Sequence, residues 1–366
     1  MKRLCLLPSL LFLLALPVRA AAPERINAAT ETLGEGVEYS REQWRFDDGA
    51  AREVRCITVD MARCTLLLAT PGDEADNDGG GGQGAALADM ANAAIQNGKR
   101  VLGGVNGDFY KTSADGGAEY APYAALGVLV KDGVLLSDGQ RAEGAMYFGV
   151  TREGDAVMGS AQPDGDWDSV KSGLLTAVGG ELWLVHQGES NLASLRWRTD
   201  SPILSARYGS AGAVYDENGG MYDFPGAFSS YPRTAVGILS DGRVLLLCAG
   251  EGGVSPGLTV PQRTELLLEK GCTEAMNLDG GPSTQLLIPE DGRFAPGSLH
   301  GVSRRIGVGL LAATGRGEDA LGGMSAAAEA PSRSPLWLII PALLLLAAGA
   351  WALWRRQHRR RGKHAA

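Results

Sequence analysis

Cysteine and histidine are scarce in this 366-residue sequence, which has five of the first and four of the second. Cys5 lies in an apolar N-terminal run, and the spacing of the other four cysteines matches no zinc-binding motif. The glycine-rich stretch 79–84 is not followed by Gly-Lys-Ser/Thr, so the sequence predicts no nucleotide-phosphate loop. His186 and His300 have no partner at a recognisable catalytic spacing, and we interpret both as structural.

Positive charge is concentrated at the two ends of the chain. The formal net charge is −8, with six Lys or Arg among the last twelve residues and three among the first twenty. Subtracting these nine positive charges leaves residues 21–354 with a net charge of −17. Such an acidic segment repels nucleic-acid phosphates, so we predict no nucleic-acid partner. An anionic substrate requires a local basic pocket to overcome this field.

The long apolar runs also lie at the chain ends. Lys2 and Arg3, followed by an apolar run and small residues, indicate a secretory signal peptide over 1–20. The uncharged stretch 336–354 is long enough as a helix to cross a hydrocarbon core of ~30 Å. The positive-inside rule places the basic tail 355–366 in the cytoplasm. We predict a single-pass cell-membrane protein with an extracellular N-terminal domain.

Between these ends, residues 38–313 consist of short segments rich in β-branched residues and leucine, separated by Gly and Asp-Gly turn signals. Two segments instead have helical spacing, 84–99 and 259–271, and each leads into a strand-like run. The pattern predicts an α+β fold, namely a β-rich mixed-sheet domain with a few helices, plus one C-terminal transmembrane helix. The small, polar residues of 314–335 predict a flexible stalk.

Four cysteines remain outside the signal peptide, an even number, as is common in exported proteins with disulfides. Cys56 and Cys64 flank ITVDMAR, a candidate β-hairpin, so we predict a disulfide between them. Cys248 and Cys272 end two apolar segments, where either a second disulfide or two free buried thiols fits the sequence.

The stretch NLDGGPSTQL at 277–286 has an acid, two glycines and two hydroxyls after an apolar-leaning run. Asp-Gly is the strongest short-range turn signal between strands, so a plain hairpin turn is one interpretation. Paired glycines also let backbone N–H groups approach a ligand closely, so an active-site loop is the other. A second strand-like run ends similarly, in VNGDFY at 105–110, with an Asn and an Asp.

Five short motifs in order resemble the phosphodiester glycosidase family over roughly residues 50–312. They are VNGDFY at 105–110, ALGVLVKDG at 125–133, PRTAVGI at 232–238, the helix with its LDGG segment at 255–286, and VSRRIGVGL at 302–310. The resemblance implies an enzyme that hydrolyses the glycosidic bond of a carbohydrate phosphodiester. The sequence departs from the family at Pro282, where a third glycine is usual, and proline has no backbone N–H to donate.

The resemblance assigns chemistry to these motifs. Cleavage requires stabilising an oxocarbenium-like sugar, while the departing phosphate needs less general-acid help than a sugar alcohol. We predict Asp279 and Asp108 as catalytic carboxylates, with Asp279 as nucleophile or base. The predicted substrate-binding residues offer backbone, hydroxyl, amide or guanidinium donors: Asn106, Arg233, Thr234, Asn277, Gly280, Gly281, Ser283, Thr284 and Arg304.

Several of these residues have a second interpretation. Asn106 and Asn277 suit either sugar hydroxyls or loop bracing, and the two arginines also fit structural salt bridges. The two carboxylates also suit a divalent cation, although no ligand set identifies one. The resulting hypothesis is a membrane-anchored extracellular hydrolase of carbohydrate phosphodiesters of cell-envelope or exopolysaccharide type. The alternative is a non-catalytic carbohydrate-binding or envelope scaffold protein with the same fold.

Overall fold

The computed structural model describes residues 22–74, 84–110, 123–138, 145–161, 172–191, 230–250, 256–290, 293–295 and 298–321. Residues 1–321 and 322–366 form two separate units, and the second lies wholly outside the described residues. The predicted signal peptide, transmembrane helix and basic tail fall outside them too. No helix in the described ranges is long and apolar enough to span a membrane.

The described residues form eighteen strands and two α-helices. The strands are β1 Glu24–Gly34, β2 Val37–Arg45, β3 Ala51–Val59, β4 Cys64–Ala69, β5 Val101–Asn106, β6 Val128–Lys131, β7 Val134–Asp138, β8 Ala145–Thr151, β9 Ala156–Ala161, β10 Leu174–Gly180, β11 Trp183–His186, β12 Glu189–Ser190, β13 Arg233–Leu239, β14 Val244–Ala249, β15 Cys272–Asn277, β16 Gln285–Leu287, β17 Leu299–Gly301 and β18 Gly309–Thr314. The helices are α1 Leu87–Gln96 and α2 Val260–Glu269. This content confirms the prediction of a β-rich α+β domain.

The strands form three sheets. Sheet I has the order β1-β2-β3-β14-β13-β15-β11-β12, sheet II β7-β6-β10-β8-β9, and sheet III β17-β16-β5-β18-β4. Every strand pair in the described ranges is antiparallel. The prediction of a mixed sheet is therefore wrong for this part of the chain.

The two helical connections explain this outcome. α1 connects β4 to β5, and α2 connects β14 to β15. The strands of each connected pair run in the same direction, but a third strand lies between them, β18 in sheet III and β13 in sheet I. Because the inserted strand is antiparallel to both neighbours, neither helical connection produces a parallel ladder.

Local signals determine the helix ends. α1 is followed by Asn97 and Gly98, and Gly98 has a φ of 88°, a left-handed conformation that ends helices. α2 begins with a capping box in which the side chains of Thr259 and Gln262 each accept a hydrogen bond from the other residue's backbone N–H. Pro261 lies in the first turn, where a missing N–H breaks no helical bond. Both predicted helices are confirmed.

The main core lies between the three sheets and includes Leu246 of sheet I, Phe148 of sheet II and Leu310 of sheet III, all fully buried. α2 covers the other face of sheet I, and α1 packs against sheet III. Each fully buried leucine contributes roughly 1.5–3 kcal/mol relative to an exposed one. This packing holds β5 and β15, the two strands that lead into the predicted catalytic acids.

Ordered structure continues on both sides of the predicted domain range 38–313. Pairing between β1 and β2 begins at Glu24. After β18, residues Gly317–Leu321 form a 3-10 turn, and Arg316 Nη2 donates to Asp155 Oδ1 at 2.7 Å. The first residues of the predicted stalk are therefore bonded to the turn between β8 and β9, and the stalk beyond residue 321 lies outside the described residues.

The predicted Cys56–Cys64 disulfide is wrong, because the four cysteines within the described ranges are all free thiols. The hairpin it required does not form, since β3 pairs with β2 and β14 whereas β4 pairs with β18 in another sheet. Cys56 faces the core beside α2, and Cys64 faces the core between the sheets. Cys272 and Cys248 are divided between the same two cores, so the alternative of free buried thiols holds for them.

Candidate active site

The predicted site residues gather where β5 and β15 end. Both strands end in a buried asparagine, Asn106 and Asn277. Asp279 N donates to Gly107 O at 3.0 Å, and Asn106 Nδ2 donates to Asp279 O at 2.7 Å. These hydrogen bonds join the two strand ends and bring the segments carrying Asp108 and Asp279 together.

Asn106 braces this junction. Its Oδ1 accepts from Thr234 Oγ1 at 2.7 Å and from Gln285 N at 3.0 Å, while its Nδ2 donates to Asp279 O. These bonds use both acceptor positions and one of the two N–H donors of the amide. Thr234 is fully buried and donates its hydroxyl proton to this brace. The contacts of both residues therefore fit loop bracing, the second interpretation of Asn106.

Asp108 is buried under two glycines. Its Oδ1 accepts from Phe109 N at 2.8 Å, and its Oδ2 accepts from Gly127 N at 2.6 Å. A Cβ atom at Gly127 or at Gly179 would lie 2.8 Å from this Oδ2, so only glycine leaves room for the carboxylate. Burial first, and also the charge of Asp279, raise the pKa of Asp108 to about 7, although these backbone hydrogen bonds act to lower it. A group with this pKa exchanges protons readily near neutral pH.

The raised pKa of Asp108 predicts that stability falls as pH rises. An unfolded aspartate releases its proton near pH 4, whereas the folded protein holds this proton until about pH 7. Between these values the unfolded state binds fewer protons than the native state, so the free energy of unfolding decreases with pH. Thermal melting of the wild type from about pH 4 to about pH 7 should show this decline, and Asp108→Asn should lack it.

Asp241→Asn is the control for this measurement. Asp241 is exposed, and the hydrogen bond from Arg243 lowers its pKa. Its contribution to stability therefore has the opposite sign, because it is lost as pH falls. A decline that persists unchanged in Asp108→Asn would contradict the assignment of the raised pKa to Asp108.

Asp279 is 2% exposed, and its Oδ1 accepts from Gly280 N at 2.8 Å. Its charge adds to burial in raising the pKa values of Asp108 and Tyr110. A nearby negative charge disfavours the ionised form of a carboxylate, so Asp279 makes the proton of Asp108 harder to remove. The site thus contains two buried acids at adjoining strand ends, and the charge of Asp279 acts on Asp108.

The backbone N–H groups of the glycine turn, residues 280–284, donate hydrogen bonds within the protein. Gly281 N donates to Pro232 O at 2.8 Å, and Ser283 N and Thr284 N donate back to Gly280 O and Gly281 O at 3.1 Å. Gly280 N already bonds to the preceding Asp. The backbone N–H groups predicted to bind substrate therefore stabilise the turn in this structure. The side-chain donors of the turn are the hydroxyls of Ser283 and Thr284.

Pro282 fits this turn. Gly281–Ser283 form a 3-10 turn with the proline at its start, where the missing N–H removes no internal hydrogen bond. Gly281 has a φ of 58°, a left-handed conformation that favours glycine. Pro282 itself is exposed. The departure from the family pattern is therefore accommodated without loss of the turn.

The two predicted arginines each lie over a tyrosine ring. Arg233 is buried at the start of β13, its Nε donates to Leu258 O at 3.0 Å, and its Cζ lies 5.7 Å from the ring centroid of Tyr231. Arg304 is half-buried, and its Cζ lies 5.9 Å from the ring centroid of Tyr110. Contact with an aromatic face orients a guanidinium while leaving its N–H groups able to bind anions.

Tyr110 also belongs to the site, although the sequence motifs assigned it no role. Its hydroxyl lies 3.3 Å from Ser283 Oγ and donates to Arg305 O at 3.3 Å, while its ring stacks on Tyr123 with centroids 5.3 Å apart. It is the last residue of VNGDFY, and its position beside the strand-end acid was the available signal. Through its contact with Ser283, Tyr110 connects the VNGDFY motif after β5 with the NLDGGPSTQL stretch after β15.

The sequence motifs assigned no role to Arg263 either. It lies on the buried face of α2, three and four residues before the core leucines Leu266 and Leu267. Its Nη1 donates to Asn277 Oδ1 and to Thr234 O. Asn277 is therefore held by a side chain of the protein, which fits its bracing interpretation. A charged residue on the apolar face of a predicted helix was the signal.

No group of three or more His, Cys, Asp or Glu in the described ranges is arranged to hold a metal ion. Asp108 and Asp279 provide one pair of carboxylates, and both Asp108 oxygens accept backbone hydrogen bonds. The divalent cation considered from the sequence stays a prediction.

A family model for phosphodiester glycosidases matches residues 99–313. This range is more than half of the chain and contains both strand ends with their buried acids. The chain belongs to the phosphodiester glycosidase family, which confirms the resemblance found in the motifs.

Two known proteins are similar in sequence. Mouse N-acetylglucosamine-1-phosphodiester alpha-N-acetylglucosaminidase is 26% identical over 201 residues, which cover 55% of this chain and 34% of the mouse protein. The SPbeta prophage-derived uncharacterized protein YomE of Bacillus subtilis (strain 168) is 24% identical over 189 residues, covering 50% of this chain and 24% of that protein. The match thus spans about a third or less of each relative's length.

A solved structure shares the fold. It is the catalytic domain of zebrafish N-acetylglucosamine-1-phosphodiester alpha-N-acetylglucosaminidase, auto-inhibited by its pro-peptide. The TM-score is 0.54 at 19% sequence identity, and the alignment covers 81% of this chain and 89% of that chain. At this identity, the similarity establishes the architecture of the domain.

Proposed function

We propose that this protein hydrolyses the glycosidic bond of sugar phosphodiesters. The observation that carries the proposal is the pair of buried acids, Asp108 and Asp279, at the joined ends of β5 and β15. A pair of carboxylates, one of them with a raised pKa as Asp108 has, is typical of glycoside-cleaving sites. Family membership and the name of the mouse relative, a phosphodiester glycosidase, point to the same reaction class.

In the proposed reaction, Asp279 acts as nucleophile or base at the anomeric carbon. The bond between this carbon and the phosphate oxygen breaks, a water oxygen forms the new bond, and a base takes the proton of the water. Asp108, with a pKa of about 7, exchanges that proton near neutral pH. The products are a reducing sugar and a phosphate monoester, which leaves as a weak base.

Arg233 and Arg304 supply the local positive charge that an anionic substrate requires in this acidic protein. Their contacts with Tyr231 and Tyr110 orient both guanidinium planes. A planar guanidinium binds two phosphate oxygens at once, which fixes the phosphate as well as attracting it.

Turnover of a panel of glycosyl phosphodiesters by the purified full-length protein tests this function. We expect release of reducing sugar and phosphate monoester from at least one diester, and slower release from the matching glycoside with a neutral aglycone. Saturable sugar binding without turnover across the panel would favour the non-catalytic carbohydrate-binding hypothesis.

We further propose that residues 336–354 anchor the protein in the cell membrane with the folded unit outside, and that its substrate belongs to the cell envelope or an exopolysaccharide. The uncharged stretch and the six basic residues after it support this orientation. Protease added to intact cells should release a soluble fragment containing residues 22–321. An epitope placed after Ala366 that antibody reaches on intact cells would contradict the orientation.

A further inference from the structure

Arg263 is a fully buried cation without a neutralising acid in the described part of the chain. Arg263 is the largest fully buried side chain of the described residues, with an exposure of 0%. Its Nε and Nη2 make no hydrogen bond there, and its Nη1 donates only to two neutral oxygens, of Asn277 and Thr234. Burying an ionised group in this way is costly, so a purely structural role for the charge is unfavourable.

The guanidinium of Arg263 lies directly behind the catalytic strand end. Thr234 O, which accepts from Arg263 Nη1 at 3.3 Å, also accepts from Leu278 N at 3.1 Å. Leu278 immediately precedes Asp279, and Asn277, the other acceptor for Arg263, ends β15. Arg263 therefore hydrogen-bonds to the side chain of Asn277, the last residue of β15. It also hydrogen-bonds to Thr234 O, the same backbone oxygen that accepts from Leu278 N just before Asp279.

A second buried arginine lies beside it. Burial, and then the charge of Arg233, lower the pKa of Arg263 well below its ordinary value. Arg263 Nη1 donates to the backbone oxygen of Thr234, which follows Arg233 in β13, so the two like charges lie on neighbouring elements. The unneutralised charge of Arg263 in a low-dielectric environment creates a local positive field, which favours an anion at the adjacent site.

We propose that Arg263 is a positioning and specificity-determining residue which, together with Arg233, selects the anionic phosphate group of the substrate. The inference rests on the proposed function and deepens it by naming the recognised chemistry, a phosphate ester. The buried guanidinium of Arg263 does not touch the phosphate itself. It acts through its electrostatic field and by holding Asn277. Arg233 lies next to the glycine turn, because Gly281 N bonds to the backbone oxygen of Pro232, the preceding residue.

Inorganic phosphate binding to the full-length protein tests the charge directly, by calorimetry and by the rise in melting temperature. Arg263→Met should weaken phosphate binding by about tenfold or more, because it removes one unit of nearby charge. Ligand-free Arg263→Met should melt at the same temperature as the wild type or higher, since the unneutralised charge is gone. Arg263→Lys keeps the charge and should restore most of the phosphate affinity.

Two further variants separate charge from position. Arg263→Gln keeps an amide donor for Asn277 without the charge and should behave like Arg263→Met. Arg243→Met removes an exposed arginine paired with Asp241, and it should leave phosphate affinity unchanged. A neutral methyl glycoside should bind to all variants with similar affinity.

Equal phosphate affinity in the wild type and Arg263→Met would overturn the inference, as would a wild type that binds no phosphate. Parallel loss of phosphate and methyl glycoside binding in Arg263→Met would also overturn it, because the role would then be purely structural. A wild type with Arg263-dependent phosphate binding that hydrolyses no diester would support the inference and contradict the proposed function. Diester hydrolysis by the wild type, together with unchanged phosphate binding in Arg263→Met, would support the proposed function and contradict the inference.

Discussion

Replacing Asp279 by Asn is expected to lower the turnover of a glycosyl phosphodiester by about two orders of magnitude or more, with little change in melting temperature. Asn has the size of Asp, and its Oδ1 can still accept the hydrogen bond from Gly280 N. The bonds from Asp279 N to Gly107 O and from Asn106 Nδ2 to Asp279 O involve only backbone atoms of residue 279 and persist. The substitution therefore removes the charge and keeps these three hydrogen bonds. Steady-state kinetics and thermal melting of both proteins measure the two effects.

A structural turn residue would respond differently. Asn is itself a good turn residue, so a merely structural Asp279 would shift stability modestly and leave the turnover of the folded protein unchanged. Asp241→Asn provides the matched control, because Asp241 lies in an exposed turn and its Oδ1 accepts from Arg243 N. Near-normal turnover in a well-folded Asp279→Asn protein would overturn the proposed mechanism and favour the carbohydrate-binding hypothesis.

The parts of the fold that depend on local signals were predictable. Gly98 ends α1 and the Thr259–Gln262 capping box begins α2, and both signals act within a few residues of the chain. The strand arrangement was not predictable in the same way. β18 pairs between β4 and β5, and its partner residues lie more than 200 positions away in the sequence. The same kind of long-range pairing separated β3 from β4 and removed the basis for a Cys56–Cys64 disulfide.

The candidate site shows the same division. The acids Asp108 and Asp279 were visible because each follows a strand-like run and precedes a turn. The bracing role of Asn106 depends on Thr234 and Gln285, which lie 128 and 179 residues further along the chain. Arg263 was hidden for a related reason, since its relation to the site arises only when α2 packs onto sheet I. Sequence motifs therefore located the acids, whereas the residues that position them required the fold.

Asp73, Lys99, Lys131 and Asp132 form a largely buried ion cluster. Lys99 Nζ lies 3.0 and 2.9 Å from the two carboxylate oxygens of Asp73, and Lys131 Nζ lies 2.5 Å from Asp73 Oδ1. Asp132 Oδ2 is 2.8 Å from Lys99 Nζ, and Lys131 Nζ also donates to Leu68 O at 3.0 Å. The side chains of Lys99, Lys131 and Asp73 are 5%, 0% and 3% exposed, so solvent does not replace a lost partner.

Asp73→Asn is expected to lower the free energy of unfolding by about 3–5 kcal/mol, the cost of leaving buried charges without their partner. Asp73 has a φ of 58°, a left-handed conformation that Asn also tolerates, so the substitution isolates the charge from backbone strain. Lys99 keeps Asp132 as a partner, whereas the nearest carboxylate oxygen to Lys131 Nζ is then Asp132 Oδ2 at 3.8 Å. Urea denaturation of the wild type and the variant measures the difference.

Two comparisons make this prediction specific to the buried charge. Asp241→Asn breaks an exposed ion pair with Arg243 and should change the free energy of unfolding by roughly 0.5 kcal/mol or less. Adding Lys131→Met to Asp73→Asn should recover part of the lost stability, because the uncompensated ammonium group is replaced by an apolar side chain of similar length. Lys99 lies just before β5, which leads to Asp108, and Lys131 is the last residue of β6. β6 begins directly after Gly127, whose N–H donates to Asp108. The ion cluster therefore connects two strands that lead to the site. A loss in Asp73→Asn no larger than that in Asp241→Asn, or a double variant less stable than Asp73→Asn alone, would show that the cluster does not stabilise the fold through its charges.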